Sequence, residues 1–453
     1  MMSLSRSLPS SRAALPALAG VIACAALTAC GGGGTSASSS SCSVIAASGG
    51  TTASNTINPS LSGTPGFISS FGSSSSHDGG TPEYGQLVQI GNYFYGTTAY
   101  GGANGQGAVI RVDTSGAETV IYSFGSQSGD GSTPLAGLTL GQDGKLYGTT
   151  YAGGAHGNGA VFVIDLSATP IETTLYSFNT GTDGQSPQGG LIETSAGHFF
   201  GTTKYGGANN AGTVFALTTD GTAGGTTVSL LYNFGASTTD AKNPQATLVR
   251  ATDGSLYGTA YYGGAYGNGA VFKVDGCGTE SLVYSFSAAG TDGAHPLGGL
   301  IQGADGALYG TTTAGGAHAT VPQEVLGTVF KLTLSGTESV VYSFGASASD
   351  GTQPQSTLVQ DSNGNLYGTT TGGGAHASSG SGGTIFEIPA DPSTKLPTAI
   401  PSTGTAPIVY SFAASSSDGN YPIGGLTIGS DGYLYGTTSA GGSNGNGTVF
   451  QIK

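Results

Sequence analysis

One short motif recurs through most of the chain and limits the folds that are open to it. The motif reads Tyr-Gly-Thr-Thr, with one Phe and one Ala variant, and its copies lie 52 to 68 residues apart. A unit of this size cannot bury its own hydrophobic faces, so repetition at this spacing predicts units that pack against one another in an array or a ring. The seven copies begin at Tyr95, Tyr147, Phe200, Tyr257, Tyr309, Tyr367 and Tyr435.

Each copy belongs to a unit of four short strands. In the unit around Tyr147 the strands read GLTL, LYGTT, AVFVI and TLYSF, and we label them A, B, C and D. Their β-branched and aromatic residues favour strands, and Asp143-Gly144 provides a tight A–B hairpin. Four strands per unit of about 50 residues predict an all-β fold, a seven-bladed β-propeller of four-stranded blades over residues 66–453.

The two ends of the array predict how the ring closes. The segment GFISSF, which ends at Phe71, has the pattern of a strand D, whereas the array ends in GTVFQI, which has the pattern of a strand C. We therefore expect the N-terminal strand to join the C-terminal blade as its outer strand, which removes an open sheet edge.

The motif itself is expected to serve packing between blades. Alternate side chains of strand B face opposite sides of the blade, and neighbouring blades cover both sides. The tyrosine supplies buried area. We expect the glycine, Gly148 for example, to leave room for a side chain from the next blade.

The first residues predict export. Arg6 and Arg12 precede a short apolar stretch that ends in Leu-Thr-Ala-Cys at Cys30. This stretch is too short to span a bilayer. LTAC resembles a lipobox, which implies a lipoprotein signal peptide over residues 1–29 and lipidation of Cys30. An ordinary secretory signal with an incidental cysteine is the alternative.

A tether is expected between the lipid and the propeller. Residues 30–65 are rich in Gly and Ser and have few large apolar side chains, which predicts a flexible segment. The chain is then expected in the bacterial cell envelope, anchored to the membrane by lipid and exposed to the periplasm or the cell exterior. Cys42 and Cys277 would meet an oxidising compartment there, and a disulfide between them is one possibility.

The charge of the chain argues against nucleic acid as a partner. The sequence has 11 basic and 25 acidic residues, a net charge of −14. Removal of the signal takes away Arg6 and Arg12 and leaves 9 − 25 = −16. Nucleic acids and anionic membrane surfaces select basic proteins. We expect a monomer whose membrane contact is its lipid and whose ligand is a glycan or a protein.

The repeats resemble those of bacterial surface proteins called GloVer repeat proteins, or choice-of-anchor tandem repeat proteins. The resemblance covers roughly residues 67–453 and depends on LYGTT, the Gly-Gly pair, G-x-V-F and YSF followed by Asp-Gly and Pro. It implies a repeat array on an anchor and implies no activity. A weaker similarity to kelch propellers lies in the Gly-Gly pair, but kelch strands D carry Trp where this chain has Tyr or Phe.

The B–C loops carry the candidate ligand-binding residues. After each Gly-Gly pair these loops place one polar or aromatic residue, and tyrosines lie nearby. Such a ring suits contacts to a glycan or a peptide, although Asn and His also occur simply because they tolerate left-handed turns. The candidate ligand-binding residues are Tyr151, His156, Tyr205, Tyr262 and Tyr266.

The D–A loops carry a second ring, of one aspartate each. Calcium binding would need six to eight oxygens per site, so an Asx-turn is the preferred interpretation. Cysteine and histidine pairs at zinc spacing do not occur, and we expect no metal and no cofactor. The aspartates are Asp78, Asp130, Asp183, Asp240, Asp292, Asp350 and Asp418.

Three functions are compatible with these patterns. The sequence has no G-x-S-x-G, no H-E-x-x-H and no P-loop, and we name no catalytic residue. A lipid-anchored binding or scaffold module is therefore preferred. The alternatives are a structural envelope component without a discrete ligand and an extracytoplasmic enzyme that acts on polysaccharides through two carboxylates.

Overall fold

A computed structural model describes residues 66–72, 78–167, 169–179, 182–321, 323–377, 382–404, 406 and 408–452. The predicted signal peptide, Cys30, the tether and Cys42 lie outside these residues. Within them the secondary structure consists of strands, and no helix has the length and apolar character needed to cross a membrane.

The fold is the predicted all-β propeller with seven four-stranded antiparallel blades. In the order A, B, C and D, the strands are Val88–Ile90, Tyr93–Thr98, Ala108–Asp113 and Glu118–Ser123 in blade 1; Thr139–Leu140, Leu146–Thr150, Ala160–Asp165 and Ile171–Ser177 in blade 2; Ile192–Ser195, His198–Thr203, Thr213–Thr218 and Thr227–Asn233 in blade 3; Val249–Arg250, Leu256–Gly263, Ala270–Val274 and Glu280–Ser285 in blade 4; Ile301–Gln302, Leu308–Thr312, Thr328–Leu332 and Glu338–Ser343 in blade 5; Val359–Gln360, Leu366–Gly373, Thr384–Ile388 and Ile408–Ser411 in blade 6; and Thr427–Ile428, Leu434–Thr438, Thr448–Ile452 and Gly66–Ser70 in blade 7.

Short additional strands place the D–A loop that enters a blade beside the end of strand B of the same blade. The D–A and B–C loops therefore share one face of the propeller, here called the loop face, and the A–B and C–D turns share the other, the turn face. These strands are Gly79–Gly80 with Tyr100–Gly101, Gly131–Ser132 with Ala152–Gly153, Ala241–Pro244 with strand B of blade 4, Gly293–Ala294 with Ala314–Gly315, Gly351–Pro354 with strand B of blade 6, and Gly419–Asn420 with Ala440–Gly441.

The ring closes as the sequence predicts. The N-terminal strand pairs antiparallel with the last strand of the chain, Gly66 opposite Gln451 and Ser70 opposite Thr448. Phe71 follows directly, is fully buried, and donates its backbone N–H to the Gly447 carbonyl at 3.0 Å. The closing strand thus begins at the turn face and ends at the loop face.

The motif packs the blades in a way that confirms one expectation and corrects another. The Tyr147 ring is buried and lies 4.2 Å from the Phe199 ring of the next blade, while its hydroxyl donates to Asp143 Oδ2 at 2.9 Å. A Cβ at Gly148 would collide with Phe162 in strand C of the same blade and would lie 3.1 Å from Leu138, the residue before strand A. The expectation that the space serves the next blade is therefore wrong, because the cross-strand partner of Gly148 is Phe162.

The first threonine of the motif joins neighbouring blades. Its hydroxyl donates to a backbone carbonyl at the entry to strand A of the next blade, as Thr149 does to Gly189 at 2.9 Å. Backbones at these entries also touch, since a Cβ at Gly189 would lie 2.5 Å from the Ala246 carbonyl carbon. The other described bonds have the same threonine hydroxyl as donor and a backbone carbonyl as acceptor: Thr97 to Ala136, Thr202 to Ala246, Thr259 to Gly298, Thr311 to Ser356 and Thr369 to Gly424.

Carboxyl pairs lie between several blades. The Tyr122 hydroxyl donates to Asp130 Oδ2 at 2.8 Å, and Glu172 of the following blade lies against this aspartate and accepts from Gln127 at 3.1 Å. Burial and the Asp130 charge raise the pKa of Glu172 to about 7. Burial and a nearby aspartate charge raise the pKa of the equivalent Glu280 and Glu338 to about 7. Burial, a hydrogen bond with Asp78 and the Asp78 charge raise the pKa of Glu118 to about 8.

Removal of the closing strand should destabilise the whole ring. Deletion of residues through Phe71 leaves the edge of blade 7 open and removes a buried aromatic ring, so the midpoint of thermal unfolding should fall by on the order of 10 °C or more. Deletion through Ser60 is the matched control and should leave the midpoint unchanged in circular dichroism melts. Equal midpoints for the two truncations would contradict the closure.

Stability should fall as the pH rises toward neutrality. A glutamate whose folded pKa is raised from about 4.5 to 7 or 8 stabilises the fold fully below its unfolded pKa, and this contribution disappears as the pH rises through the folded pKa. The unfolding midpoint should therefore decrease between about pH 5 and about pH 8.

Glu172→Gln, a mimic of the protonated acid, should remove at most about a fifth of this decrease, because Glu83, whose pKa burial also raises to about 7, shares it with the four glutamates of the carboxyl pairs. Glu324→Gln is the control, since hydrogen bonds from Thr320 lower the pKa of Glu324 and it titrates below this window. A wild-type midpoint that is constant or rises over the window would refute the assignment.

Candidate functional site

A strained residue before each loop proline shapes the loop face. Seven such residues have φ between 53° and 58°, a left-handed conformation that is unusual for residues with a side chain. The N–H of each donates to a B–C loop carbonyl of the preceding blade, for example Thr133 to Gln106 at 2.8 Å. The strain thus has a structural cause that all blades share. The residues are Thr81, Thr133, Ser186, Asn243, His295, Gln353 and Tyr421.

The residue that follows the motif is fixed next to this loop. Lys204 donates its backbone N–H to the Ser186 carbonyl at 3.2 Å, and Thr313 donates to the His295 carbonyl at 3.1 Å. The following residue lies in the short sheet with the D–A loop, as Tyr262 does opposite Lys242. Variable side chains at these two positions are therefore held on a rigid frame.

One D–A loop departs from the repeat. In blade 1, Leu87 comes five residues after Pro82, whereas in blade 2 Leu138 comes four residues after Pro134, and the five other blades share the shorter spacing. The extra residue lets the Tyr84 side chain approach Tyr261 of blade 4. Burial, the Glu83 carboxylate and Tyr261 raise the pKa of Tyr84, and a hydrogen bond with Gln188 opposes the rise.

The longer D–A loop of blade 1 coincides with the loss of a hydrogen bond in blade 7. Thr437 of blade 7 is the motif threonine that should bond to the entry of blade 1. Its hydroxyl oxygen is buried and has no hydrogen-bond partner among the described residues.

A cavity of about 440 Å³ lies beside Tyr84 on the loop face. It spans the central axis, because Tyr84 comes from blade 1 and the remaining lining comes from blades 3 to 6. Four tyrosines, four side-chain amides, a threonine, two aliphatic residues and one lysine form its wall. The lining residues are Tyr84, Lys204, Tyr205, Asn243, Gln245, Tyr261, Tyr262, Leu297, Thr313, Val325, Gln353 and Gln355.

The aromatic side of the cavity is held in place by a histidine. The His295 ring stacks on Tyr261 with centroids 4.7 Å apart and an interplanar angle of 19°, and it meets the edge of Tyr262 at 5.4 Å. His295 Nδ1 lies 3.0 Å from the Tyr261 carbonyl oxygen. Tyr262 nevertheless keeps 48% of its surface exposed, so an ordered aromatic face is available to a ligand.

Lys204 is the one charged residue of this lining. Its ammonium group lies 5.3 Å from the centre of the Tyr205 ring. Burial lowers the pKa of Lys204, and the nearby Tyr151 opposes this effect. The cavity wall therefore combines aromatic faces, amide donors and acceptors, and a single cation.

The predicted ligand-binding residues fall into three groups. Tyr205 and Tyr262 line the cavity, and Tyr151 lies close enough to Lys204 to influence its pKa. His156 and Tyr266 are exposed in B–C loops and are not part of the lining. The structure thus brings Tyr205 and Tyr262 into the cavity wall, with Tyr151 near Lys204, and leaves the two residues at the loop tips apart from them.

The aspartates of the D–A loops close their own loops. Asp240 Oδ2 accepts from the Tyr232 hydroxyl at 3.0 Å and from the Ala236 N–H, four residues upstream, at 2.8 Å. An Asx-turn would accept from a residue downstream, so the expected turn type is wrong for this loop. Among the described residues, no group of three or more His, Cys, Asp or Glu side chains is arranged to hold a metal ion.

The sequence patterns did not predict the four amides, Tyr84 or Lys204 as site residues. Asn243, Gln245, Gln353 and Gln355 flank the loop prolines, where the sequence predicts turns. The signal for Tyr84 was available as the extra residue after Pro82. Lys204 was available as the one basic residue that directly follows a motif copy.

A family model described as the Gloeobacter/Verrucomicrobia repeat matches residues 32–251, 168–376 and 250–453. No curated protein matches the sequence. Solved structures with a similar chain path include hydrazine synthase of Kuenenia stuttgartiensis, at 15% identity over 82% of this chain and 95% of that chain with a TM-score of 0.49. Polysaccharide lyase Uly1 is similar at 13% identity over 83% of this chain and 90% of that chain, with a TM-score of 0.46. Puromycin hydrolase is similar at 12% identity over 83% of this chain and 53% of that chain, with a TM-score of 0.44.

Proposed function

The chain belongs to the Gloeobacter/Verrucomicrobia repeat family, and we propose that it is a saccharide-binding module of the bacterial cell envelope. The observation that carries the proposal is the axial cavity, where ordered tyrosine faces stand opposite side-chain amides. Sugar rings have apolar C–H faces that stack on aromatic rings and hydroxyls that both donate and accept hydrogen bonds. Amide side chains offer donors and acceptors together.

Binding is preferred over polysaccharide hydrolysis for a chemical reason. Hydrolysis of a glycosidic bond commonly uses a pair of carboxyl groups on either side of the bond. The described lining of the cavity offers phenols, amides, a hydroxyl and the Lys204 ammonium group. These groups orient and hold a sugar.

A purely structural role accounts less well for the asymmetry of the ring. If the D–A loops served only the packing of the blades, all seven loops could have the same length and the same residues. Instead Tyr84 is added in the loop of blade 1, and Tyr205, Tyr261 and Tyr262 lie in blades 3 and 4 around the same cavity. A ligand site at this cavity explains why the aromatic residues gather there.

The proposal includes the predicted anchor. A lipid on Cys30 and a tether over residues 30–65 would hold the module at the membrane, without nucleic acid and as a monomer. The closing strand begins at Gly66 on the turn face. The tether would therefore join the propeller on the face opposite the cavity, and the cavity would point away from the membrane.

Tyr262→Ala should weaken saccharide binding. Loss of one ordered aromatic face should reduce affinity about tenfold. The measurement is a glycan array with the full chain in detergent, followed by calorimetry on the best ligand.

Tyr100→Ala is the matched control. Tyr100 has the same position in blade 1 and is 56% exposed, but it does not line the cavity, so its removal should leave affinity unchanged. Equal losses in the two variants, or no array signal for the wild type, would contradict the proposal.

The orientation can be tested with single cysteines on the two faces. His156 is exposed in a B–C loop on the loop face, and Ser393 is exposed in the C–D loop of blade 6 on the turn face. On intact membranes, a bulky thiol reagent should label His156→Cys faster than Ser393→Cys. Labelling of the detergent-solubilised protein, where both faces are open, controls for intrinsic reactivity, and faster labelling at Ser393→Cys on membranes would reverse the orientation.

A further inference from the structure

We infer that the ligand of the axial cavity is an acidic saccharide, whose uronic acid carboxylate pairs with the Lys204 ammonium group. The inference rests on the proposed function and names the substrate class of the same site. It is carried by the position of Lys204 in the cavity wall and by the charges around it.

Lys204 has different surroundings from the three lysines that form ion pairs. Lys145, Lys273 and Lys331 form ion pairs with aspartates on the turn face, at 3.7, 2.9 and 2.7 Å. Among the residues that the structure describes, no carboxylate forms such a pair with Lys204. Lys242 and Lys395 also have no ion pair among these residues, but of these three cations Lys204 alone lines the cavity.

The fold itself does not need a cation at this position. The residue directly after the motif is bonded to the frame through its backbone, and Lys204 follows this pattern. The side chains at this position in the other six blades are all uncharged: Ala99, Tyr151, Tyr261, Thr313, Thr371 and Ser439. The charge is therefore an addition to the repeat, in the blade next to the aromatic wall.

The position of the charge fits a sugar acid. The Asn243 amide donates to the Lys204 carbonyl at 2.9 Å, which ties the lysine backbone to the D–A loop of the next blade. The ammonium group lies over the Tyr205 ring, so a carboxylate bound to it would belong to a sugar beside that ring. A single ammonium group matches the single negative charge of a carboxylate, whereas phosphate recognition commonly uses several cationic or backbone donors.

The test compares oligogalacturonate with the same oligomer in its methyl-esterified form, which has the same rings without the charge. Calorimetry with the full chain in detergent should show about tenfold tighter binding of the acid form. Lys204→Thr introduces the residue found at this position in blades 5 and 6, so the ring should still fold, and thermal melts verify this. It should bind both forms equally, and Lys204→Arg should restore part of the preference.

Lys145→Thr removes the same charge from the turn face and should keep the full preference. Equal binding of the two forms by the wild type, or a preference that survives in Lys204→Thr, would overturn the assignment of Lys204 and leave saccharide binding standing. Binding of neither form, together with an array that shows no glycan, would refute the proposed function and this inference with it.

Discussion

The hydrogen bond from the first motif threonine to the entry of the next blade sets the geometry on which the rest of the ring depends. It brings backbones so close that Gly189 has no room for a side chain against Ala246. Small residues at these entries follow from that distance. The strained residue before each proline, such as Thr133, then links the loop to the preceding blade. The loop face is rigid because each loop is held at both ends.

The fold could be predicted because each of its main features follows from a pattern that can be read in the sequence. Strand periodicity and the Asp-Gly turns define a blade, and unpaired strand edges require the closing strand that Gly66–Ser70 provides. The packing partner of Gly148 could not be predicted in the same way. Alternation in a strand tells which face a residue occupies, but it does not tell whether Phe162 of the same sheet or a residue of the next sheet fills the space.

The cavity was predictable in its location and only partly in its lining residues. Tyr205 and Tyr262 were predicted because they come shortly after a motif copy, and the repeat places that position on the loop face, where both line the cavity. His156 and Tyr266 occupy the tips of B–C loops, where the sequence gives no measure of distance from the axis. Tyr84 was missed because comparison of repeats directs attention to what the blades share, whereas the cavity is built from what distinguishes them.

The blade 1 loop lacks a hydrogen bond between blades that the regular loops have, which favours a role for Tyr84 other than stabilising the ring. Its extra residue coincides with the loss of the hydrogen bond that the other described motif threonines make, and a buried hydroxyl such as that of Thr437 costs about 1 to 3 kcal/mol when unsatisfied. A regular loop of the kind seen after Pro134 would allow that bond, whereas the blade 1 loop instead has a bond from the Gln86 amide to the Leu426 carbonyl of blade 7 at 3.1 Å. The contacts that Tyr84 makes instead, with Tyr261 and the cavity wall, contribute to a surface on the axis. The ring thus exchanges one bond between blades for another, and what the insertion adds is the Tyr84 side chain in the cavity wall, which the proposed ligand site requires.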